Sequence, residues 1–395
     1  MPDFKLELPR SQLAKRPNLK WTRHGEGVLP AWVAETDLAL AEPALAELRQ
    51  RLAQANLGYD ADEERLDALL GEAFAGHARR RYGWQLDPGL VQPLSDIGQG
   101  VAAALWAFTV PGDGVVVQTP AYPRFRKLIE GVGRRFVANP LLCGEDGYGV
   151  DLDHLKRCFE GGARALVLCN PHNPTGRVFT AGELTVIGDL AERYGVTVIV
   201  DEVHADLTLD GQHLPMATLQ RVERLVTLTS ASKSFNVQAL RCAVMVFSSV
   251  GLQREFHARV PPLLLGSVSP LGVKTSQACW AEGGDYLEAL RTHLRARRDQ
   301  VATFFSRHHP RVRFIAPQAS YLFWLDFSAL ALPRDAAGYF LEHASVALSA
   351  GQHFDEDAAA FARLNFATSE AILGELLERL GRAIERSGDE SGGAR

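Results

Sequence analysis

The sequence predicts an α/β fold in which a large domain with a mainly parallel sheet is accompanied by a smaller α+β domain. Three observations lead to this fold class: continuous apolar runs in the middle of the chain, a capped helix between two of them, and a change of pattern after about residue 285. Strands that are covered on both faces of a parallel sheet have such continuous apolar runs. The predicted strands are Gly114–Pro120, Ala165–Pro171, Val196–Glu202, Arg224–Ser230 and Leu240–Phe247.

A helix is predicted between the second and third of these strands. Thr180 and Glu183 have the spacing of a capping box, and Gly195 follows the last turn. A strand, a helix and a strand in this order form a right-handed crossover between parallel strands. The middle of the chain therefore has the pattern of an α/β domain.

The C-terminal part of the chain groups its helices and strands differently. A long charged helix, "YLEALRTHLRARRDQVATFFSRH", precedes "RVRFIAPQASYLFWLDF" and the closing helix "SEAILGELLERLGRAIERS". We expect residues 1–47 to join the small domain, 48–285 to form the large domain, and 286–384 to form the C-terminal small domain. Residues 385–395 have the composition of a disordered tail.

Composition excludes several classes of function. The 395 residues are 46% hydrophobic and 23% charged, with a net charge of −5, which is ordinary for a globular protein and argues against nucleic acid or an anionic membrane as partner. No 18-residue apolar run predicts a membrane span, and the N-terminus lacks the apolar core of a signal peptide. Five scattered cysteines without CxxC spacing indicate reduced thiols of a cytoplasmic protein, and we expect no metal site.

Four chemically distinct residues follow or end the predicted strands. Tyr122, Asn173, Asp201 and Lys233 come at the carboxyl ends of four of them, where ligands of open α/β sheets bind. Each alone has a structural alternative: a core tyrosine, a turn former, a helix cap or arginine partner, and a surface lysine. Together they match the needs of pyridoxal phosphate, which requires a lysine for an imine and a carboxylate that keeps its ring nitrogen protonated.

A metal site is the weaker interpretation of the same stretch. Asp201, His204 and Asp206 could in principle be ligands, but alternating strand geometry would direct Asp201 and His204 to opposite faces.

Several motifs resemble those of a known superfamily. "NPHNPTG", "DEVHADL" and "SASKSFN", with Arg241 eight residues after Lys233, resemble the fold type I pyridoxal-phosphate enzymes of the aminotransferase class I/II superfamily. "KWTRHGEGVLPAWVAETD", "NLGYD", "SYLFWLDF" and "VALSAGQHF" are similar to its cystathionine β-lyase branch, the cysteine-S-conjugate β-lyases related to the maltose-regulon modulator. His204 stands where typical aminotransferases have tyrosine, which favours this branch.

The resemblance implies a role for each site residue. Lys233 would hold the cofactor and then act as the base at the substrate's α-carbon, and Asp201 would keep the ring nitrogen charged. Asn173 would hydrogen-bond the phenolic oxygen, and Tyr122 would stack on the ring. The cofactor site would also include His204 and, around the phosphate, Ser230, Arg241 and the backbone amides of Asp96, Ile97 and Gly98.

The resemblance also implies a substrate site and an assembly. Arg363, whose alternative role is a surface salt bridge, would bind the substrate carboxylate, with Trp32 nearby in the substrate site. Tyr59 would reach the phosphate of the neighbouring subunit, so the active unit would be a homodimer with shared sites.

The implied activity is a carbon–sulfur β-lyase that acts on a sulfur-containing amino acid and releases pyruvate, ammonia and a thiol. An aminotransferase is the alternative, because one scaffold hosts both reactions. A regulatory protein that retains the cofactor site is the third possibility.

Overall fold

The secondary structure comes from a computed structural model that describes residues 5–55, 57–58, 62–144, 147–219 and 222–392. Its helices are α1 (Arg10–Leu13), α2 (Leu19–Thr22), α3 (Glu42–Ala53), α4 (Glu63–Tyr82), α5 (Ile97–Phe108), α6 (Pro123–Gly131), α7 (Leu152–Glu160), α8 (Ala181–Tyr194), α9 (Ser232–Phe235), α10 (Val250–Arg259), α11 (Pro262–Leu265), α12 (Pro270–Glu282), α13 (Gly284–His308), α14 (Ala336–Ala344) and α15 (Glu370–Gly392). Its strands are β1 (Leu29–Pro30), β2 (Val91–Leu94), β3 (Gly114–Thr119), β4 (Arg135–Gly144), β5 (Gly147–Val150), β6 (Ala163–Cys169), β7 (Thr197–Asp201), β8 (Leu225–Thr229), β9 (Ala243–Phe247), β10 (Arg313–Phe314), β11 (Leu322–Asp326), β12 (Val346–Ala347), β13 (Ser349–Ala350) and β14 (Phe361–Asn365).

The chain divides into two units. The larger contains Leu40–His172 and Val178–Leu287, and the smaller contains Met1–Ala39, Asn173–Arg177 and Glu288–Arg395.

The larger unit is built on an eight-stranded sheet with the order β2-β9-β8-β7-β6-β3-β4-β5. All five predicted strands are present, and β4, β3, β6, β7 and β8 run parallel to their neighbours in this series. The predicted α/β class is confirmed. β9 runs antiparallel to β8, because the short segment between them contains no crossover helix long enough to return the chain to the same edge.

Apolar side chains cover both faces of this sheet. In β3, Val115 and Val117 belong to one core cluster, together with α5, whereas Val116 belongs to the other, together with α8. Each fully buried aliphatic side chain contributes about 1.5–3 kcal/mol to folding. This burial on both faces explains why β3 contains the continuous apolar run Val115–Val117.

The predicted helix between β6 and β7 is α8. Thr180 and Glu183 form both hydrogen bonds of the capping box, and Gly195 ends the helix in the left-handed conformation at φ 63°. This prediction is confirmed.

The smaller unit contains a four-stranded antiparallel sheet with the order β10-β11-β14-β13, and β1 pairs in parallel with β12. A buried ion pair joins Lys20 Nζ to Asp37 Oδ2 at 2.8 Å, and the indole N–H of Trp21 donates to the other carboxylate oxygen. The last helix, α15, continues to Gly392, beyond residue 385, where composition predicted disorder to begin.

Candidate active site

The carboxyl ends of β3, β6, β7 and β8 lie at one edge of the larger sheet, because these strands are parallel. Asp201 is the last residue of β7, and the chain continues from β3, β6 and β8 into Tyr122, Asn170 and Ser230, respectively. The backbone N–H of Asn170 donates to the carbonyl of Asp201 at 3.0 Å, which ties the ends of β6 and β7 together.

Asp201 is a buried acid at the end of β7, with 5% of its surface exposed. Its Oδ1 accepts a hydrogen bond from the backbone N–H of Val203 at 3.0 Å. Burial raises the pKa of Asp201 to about 6, although the Val203 N–H and the positive charge of Lys233 act in the opposite direction. A cation beside this carboxylate would therefore be bound favourably.

Lys233 lies in α9, a helix of one turn that follows β8. Its side chain is half-buried, and small residues precede it in the chain. The Ser230 hydroxyl donates to the carbonyl of Cys242 at 2.6 Å and accepts from the backbone N–H of Ser232 at 3.0 Å. Ser230 would have to rotate its hydroxyl before it could donate to a phosphate.

The N-terminus of α5 brings together the predicted phosphate residues. Asp96 caps the helix with Oδ1, while its Oδ2 lies 2.5 Å from the Arg241 guanidinium. The N–H groups of Ile97 and Gly98 belong to the first turn, where a helix leaves its donors without intrahelical acceptors. Arg241 is 60% exposed at its side chain and adopts a left-handed backbone, φ 55°. These groups can bind an anion, although the Asp96 carboxylate competes for Arg241.

Tyr122 and His204 sit at two turns of the larger unit. Tyr122 precedes α6 and packs edge-on against Phe125, with ring centroids 5.5 Å apart. His204 is buried and precedes a 3₁₀ turn, Ala205–Leu207.

Arg363 is buried on β14 in the smaller unit, so it is not a surface ion-pair residue. Its Nη1 donates to Asn173 Oδ1 at 2.8 Å, and its Nη2 donates to the carbonyl of Trp32 at 3.0 Å and to Ser349 Oγ at 3.1 Å. The Phe354 ring centroid lies 4.8 Å from the guanidinium carbon. A planar guanidinium held in this way can present two parallel N–H groups to a carboxylate ligand.

Sequence reasoning missed Ser349 and Phe354, although both lie in the family-like stretch "SAGQHF". Only the folded register of β13 against β14 places Ser349 opposite Arg363. Trp32, predicted near Arg363 in the substrate site, contacts Arg363 through its backbone carbonyl. Its indole N–H donates to the carbonyl of Lys20 at 3.3 Å.

The remaining expectations concern Tyr59, a metal site and a membrane span. Tyr59 lies outside the described residues. In the described part of the chain, no group of three or more His, Cys, Asp or Glu side chains could hold a metal ion, and no helix is long and apolar enough to cross a membrane.

The sequence matches the family of class I and II aminotransferases over residues 39–380. The chain belongs to this family. It is 33% identical over 377 residues to cystathionine beta-lyase PatB of Bacillus subtilis, covering 93% of this chain and 96% of the relative. It is 31% identical to protein MalY of Escherichia coli, covering 86% and 87% of the two chains.

The fold is also similar to that of a solved structure. Cystalysin of Treponema denticola, which contains a pyridoxal 5'-phosphate cofactor, superposes with a TM-score of 0.89 at 26% identity. The match covers 97% of this chain and 99% of cystalysin. The resemblance drawn from the sequence motifs, to this superfamily and to its cystathionine β-lyase branch, is therefore confirmed.

Proposed function

We propose that this chain is a pyridoxal-phosphate-dependent β-lyase that cleaves the Cβ–S bond of cystathionine or a similar cysteine conjugate. The nearly full-length similarity to cystathionine beta-lyase PatB supports the reaction, and the buried Asp201 supports the cofactor. A carboxylate with a pKa near 6 in a buried position fits a protonated ring nitrogen as its partner.

The other candidate residues also fit this cofactor. Lys233 would attach it covalently, and Ile97, Gly98 and Arg241 would bind its phosphate. Since Asn173 Oδ1 already accepts from Arg363, its amide nitrogen is the donor that would face the phenolic oxygen. Tyr122 would cover the ring face, and His204 would lie beside the site.

When bound, the cofactor supplies an electron sink for negative charge at the substrate's α-carbon. Arg363 binds the substrate carboxylate through its planar guanidinium and so fixes the orientation of the amino acid. Lys233 accepts the α-proton, and the thiolate leaves Cβ with the electron pair of the C–S bond. Water then completes the conversion of the remaining fragment to pyruvate and ammonia.

The test is the fate of L-cystathionine. We expect equal amounts of pyruvate, ammonia and homocysteine, with no added keto acid, and no products from Lys233→Ala. The class I and II family membership makes an aminotransferase the second candidate. Turnover that stops after one equivalent per site, resumes with 2-oxoglutarate and yields no thiol would establish the aminotransferase instead.

We also propose that the active unit is a homodimer. Leu263 and Leu264 on α11 are 95% and 60% exposed, and Leu57 is 64% exposed beside a pocket that includes Gly58 and residues 266–270. Exposed leucines of this kind favour an interaction surface, and a second copy of the chain would cover them. Leu263→Asp should produce monomers in sedimentation velocity, whereas Leu142→Asp, at a leucine 58% exposed on β4, should not.

Mixing two weak variants tests whether Tyr59 serves the neighbouring subunit. A heterodimer of Tyr59→Phe and Lys233→Ala subunits would contain one intact site, so activity should reappear on mixing. Heterodimers confirmed by mass spectrometry that stay as weak as their parents would contradict the shared site.

We place the protein in the cytoplasm. All five cysteines are free thiols, which suits a reducing compartment. Cell fractionation tests this proposal.

A further inference from the structure

A buried carboxylate outside the proposed set of cofactor residues joins three parts of the larger unit. Asp206 Oδ1 accepts from His77 Nε2 at 2.8 Å and from the Tyr82 hydroxyl, and Oδ2 accepts from Ser234 Oγ at 3.0 Å. The side chains of His77, Asp206 and Ser234 are all buried. Burial alone would raise the pKa of Asp206, but His77, Tyr82 and Arg81 hold it well below its usual range. The carboxylate is therefore ionised at neutral pH.

The three hydrogen-bond donors come from two separate elements. His77 and Tyr82 belong to the last two turns of α4, a helix of 20 residues. Ser234 belongs to α9 and directly follows Lys233. Asp206 itself lies in the 3₁₀ turn after β7. The carboxylate thus anchors the lysine-bearing turn to a long helix.

The lysine-bearing turn needs such an anchor. α9 has only four residues, and a helix of this length has little stability of its own. A hydrogen bond to an ionised acceptor is stronger than one between neutral groups. The next residue, Phe235, stacks its ring on Tyr286 at a centroid distance of 5.8 Å. With Ser234 and Phe235 both fixed, the rotation of the turn about its axis, and hence the direction of Lys233, is determined.

We propose that Asp206 is a positioning residue for Lys233 and acts through the hydroxyl of Ser234. It touches neither substrate nor cofactor in this role. The inference rests on the proposed function of Lys233 as the cofactor lysine.

The test uses the cofactor-loaded enzyme and three variants: Ser234→Ala, Asp206→Asn and the double variant. Ser234→Ala removes only the hydrogen bond between Ser234 and Asp206, and it keeps the charge of Asp206 and its contacts with His77 and Tyr82. The control is Glu255→Gln, which also removes a carboxylate charge, but from the pair with Arg224 at the amino end of β8. Measurements are kcat, KM, the melting temperature, and visible circular dichroism per bound cofactor, which reports how the cofactor is oriented in the protein.

We expect Ser234→Ala to lower kcat for L-cystathionine about 10-fold, less than the roughly 100-fold that a misplacement of about 1 Å can cost, because Phe235 still holds the turn. KM should stay within about twofold, because substrate binding is not affected. The visible circular dichroism should change. The double variant should be no slower than Asp206→Asn, since the two residues act in series. Glu255→Gln should lower the melting temperature without changing kcat or circular dichroism.

A Ser234→Ala variant with the kcat and circular dichroism of the parent would overturn the proposal, even if Asp206→Asn fails to fold. Additive losses in the double variant would also overturn it, because Asp206 would then act independently of Ser234. Borohydride reduction and peptide mapping of the parent separate this failure from that of the proposed function. Cofactor attached to a peptide other than that of Lys233 would overturn both.

Discussion

The buried acid at the end of β7 makes the stability of the cofactor-free protein depend on pH in an unusual direction. The pKa of Asp201 rises from 3.8 in the unfolded chain to about 6 in the folded protein, chiefly through burial. Between these values the folded state binds more protons than the unfolded state, so the free energy of unfolding falls as pH rises. A pKa difference of about 2 between the two states corresponds to about 3 kcal/mol in the free energy of unfolding. This stability is present below about pH 4 and lost above about pH 6.

The variant Asp201→Asn removes this dependence while keeping the size of the side chain. The difference in unfolding free energy between the cofactor-free variant and the parent should change with pH. It should shift by about 3 kcal/mol in favour of the variant as the pH rises from about 4 to about 7. Urea unfolding at closely spaced pH values measures the difference. Glu255→Gln is the control of opposite sign, because Arg224 lowers the pKa of Glu255, so that its stabilisation is lost as pH falls.

Loading with pyridoxal phosphate should weaken the Asp201 dependence, because a ring cation beside the carboxylate lowers its pKa. A parent protein whose stability difference from Asp201→Asn is the same at about pH 4 and pH 7 would refute the reasoning. An unchanged pH dependence of the unfolding free energy after loading with pyridoxal phosphate would also refute it, since the ring cation would then lie away from Asp201.

Three further predictions concern single groups. Lys233→Ala should lack the visible absorbance band that borohydride removes, and peptide mapping should find no cofactor on the peptide that contains position 233. A reducible band in the variant would contradict the assignment of Lys233. Arg363→Ala should weaken substrate binding by about 2–5 kcal/mol and leave the cofactor content unchanged. The control is Arg313→Ala, which removes an exposed arginine of the same unit and should leave substrate binding unchanged. Loss of cofactor from Arg363→Ala would instead assign Arg363 to the cofactor site. Asp37→Ala should lower the free energy of unfolding in urea by about 3–5 kcal/mol, because it leaves the Lys20 ammonium buried without the carboxylate of Asp37. A decrease below about 1 kcal/mol would mean that water reaches the ammonium.

Sequence patterns predicted the parts of the fold that depend on local chemistry. Continuous apolar runs located the five strands, and the spacing of Thr180 and Glu183 located the start of α8. The antiparallel direction of β9 was not predicted, because an apolar run is the same in either direction.

The candidate site was predictable to the extent that its residues follow parallel strands. Asp201 and Lys233 could be placed from strand ends alone, and their electrostatic interaction in the structure agrees with that placement. The Arg363 contacts could not be predicted, since two of the acceptors, the Trp32 carbonyl and Ser349 Oγ, depend on strand register and backbone position. Asp206 was visible in the sequence only as a possible metal ligand, and its three donors come from distant parts of the chain.

Two buried acids that lie five residues apart show how the fold distinguishes a binding group from a positioning group. Both lose the solvation of water, which raises a carboxyl pKa. Asp206 recovers that loss through His77, the Tyr82 hydroxyl and the charge of Arg81, and its pKa falls below the usual range. Asp201 accepts from the backbone of Val203, and its pKa remains about 6. An acid whose donors are supplied by the protein holds protein segments in place, whereas an acid left with a raised pKa is suited to bind a cation from outside the chain. The raised pKa of Asp201 therefore supports cofactor binding by this residue, and the hydrogen bond from Ser234 to Asp206 supports positioning of Lys233 by Asp206.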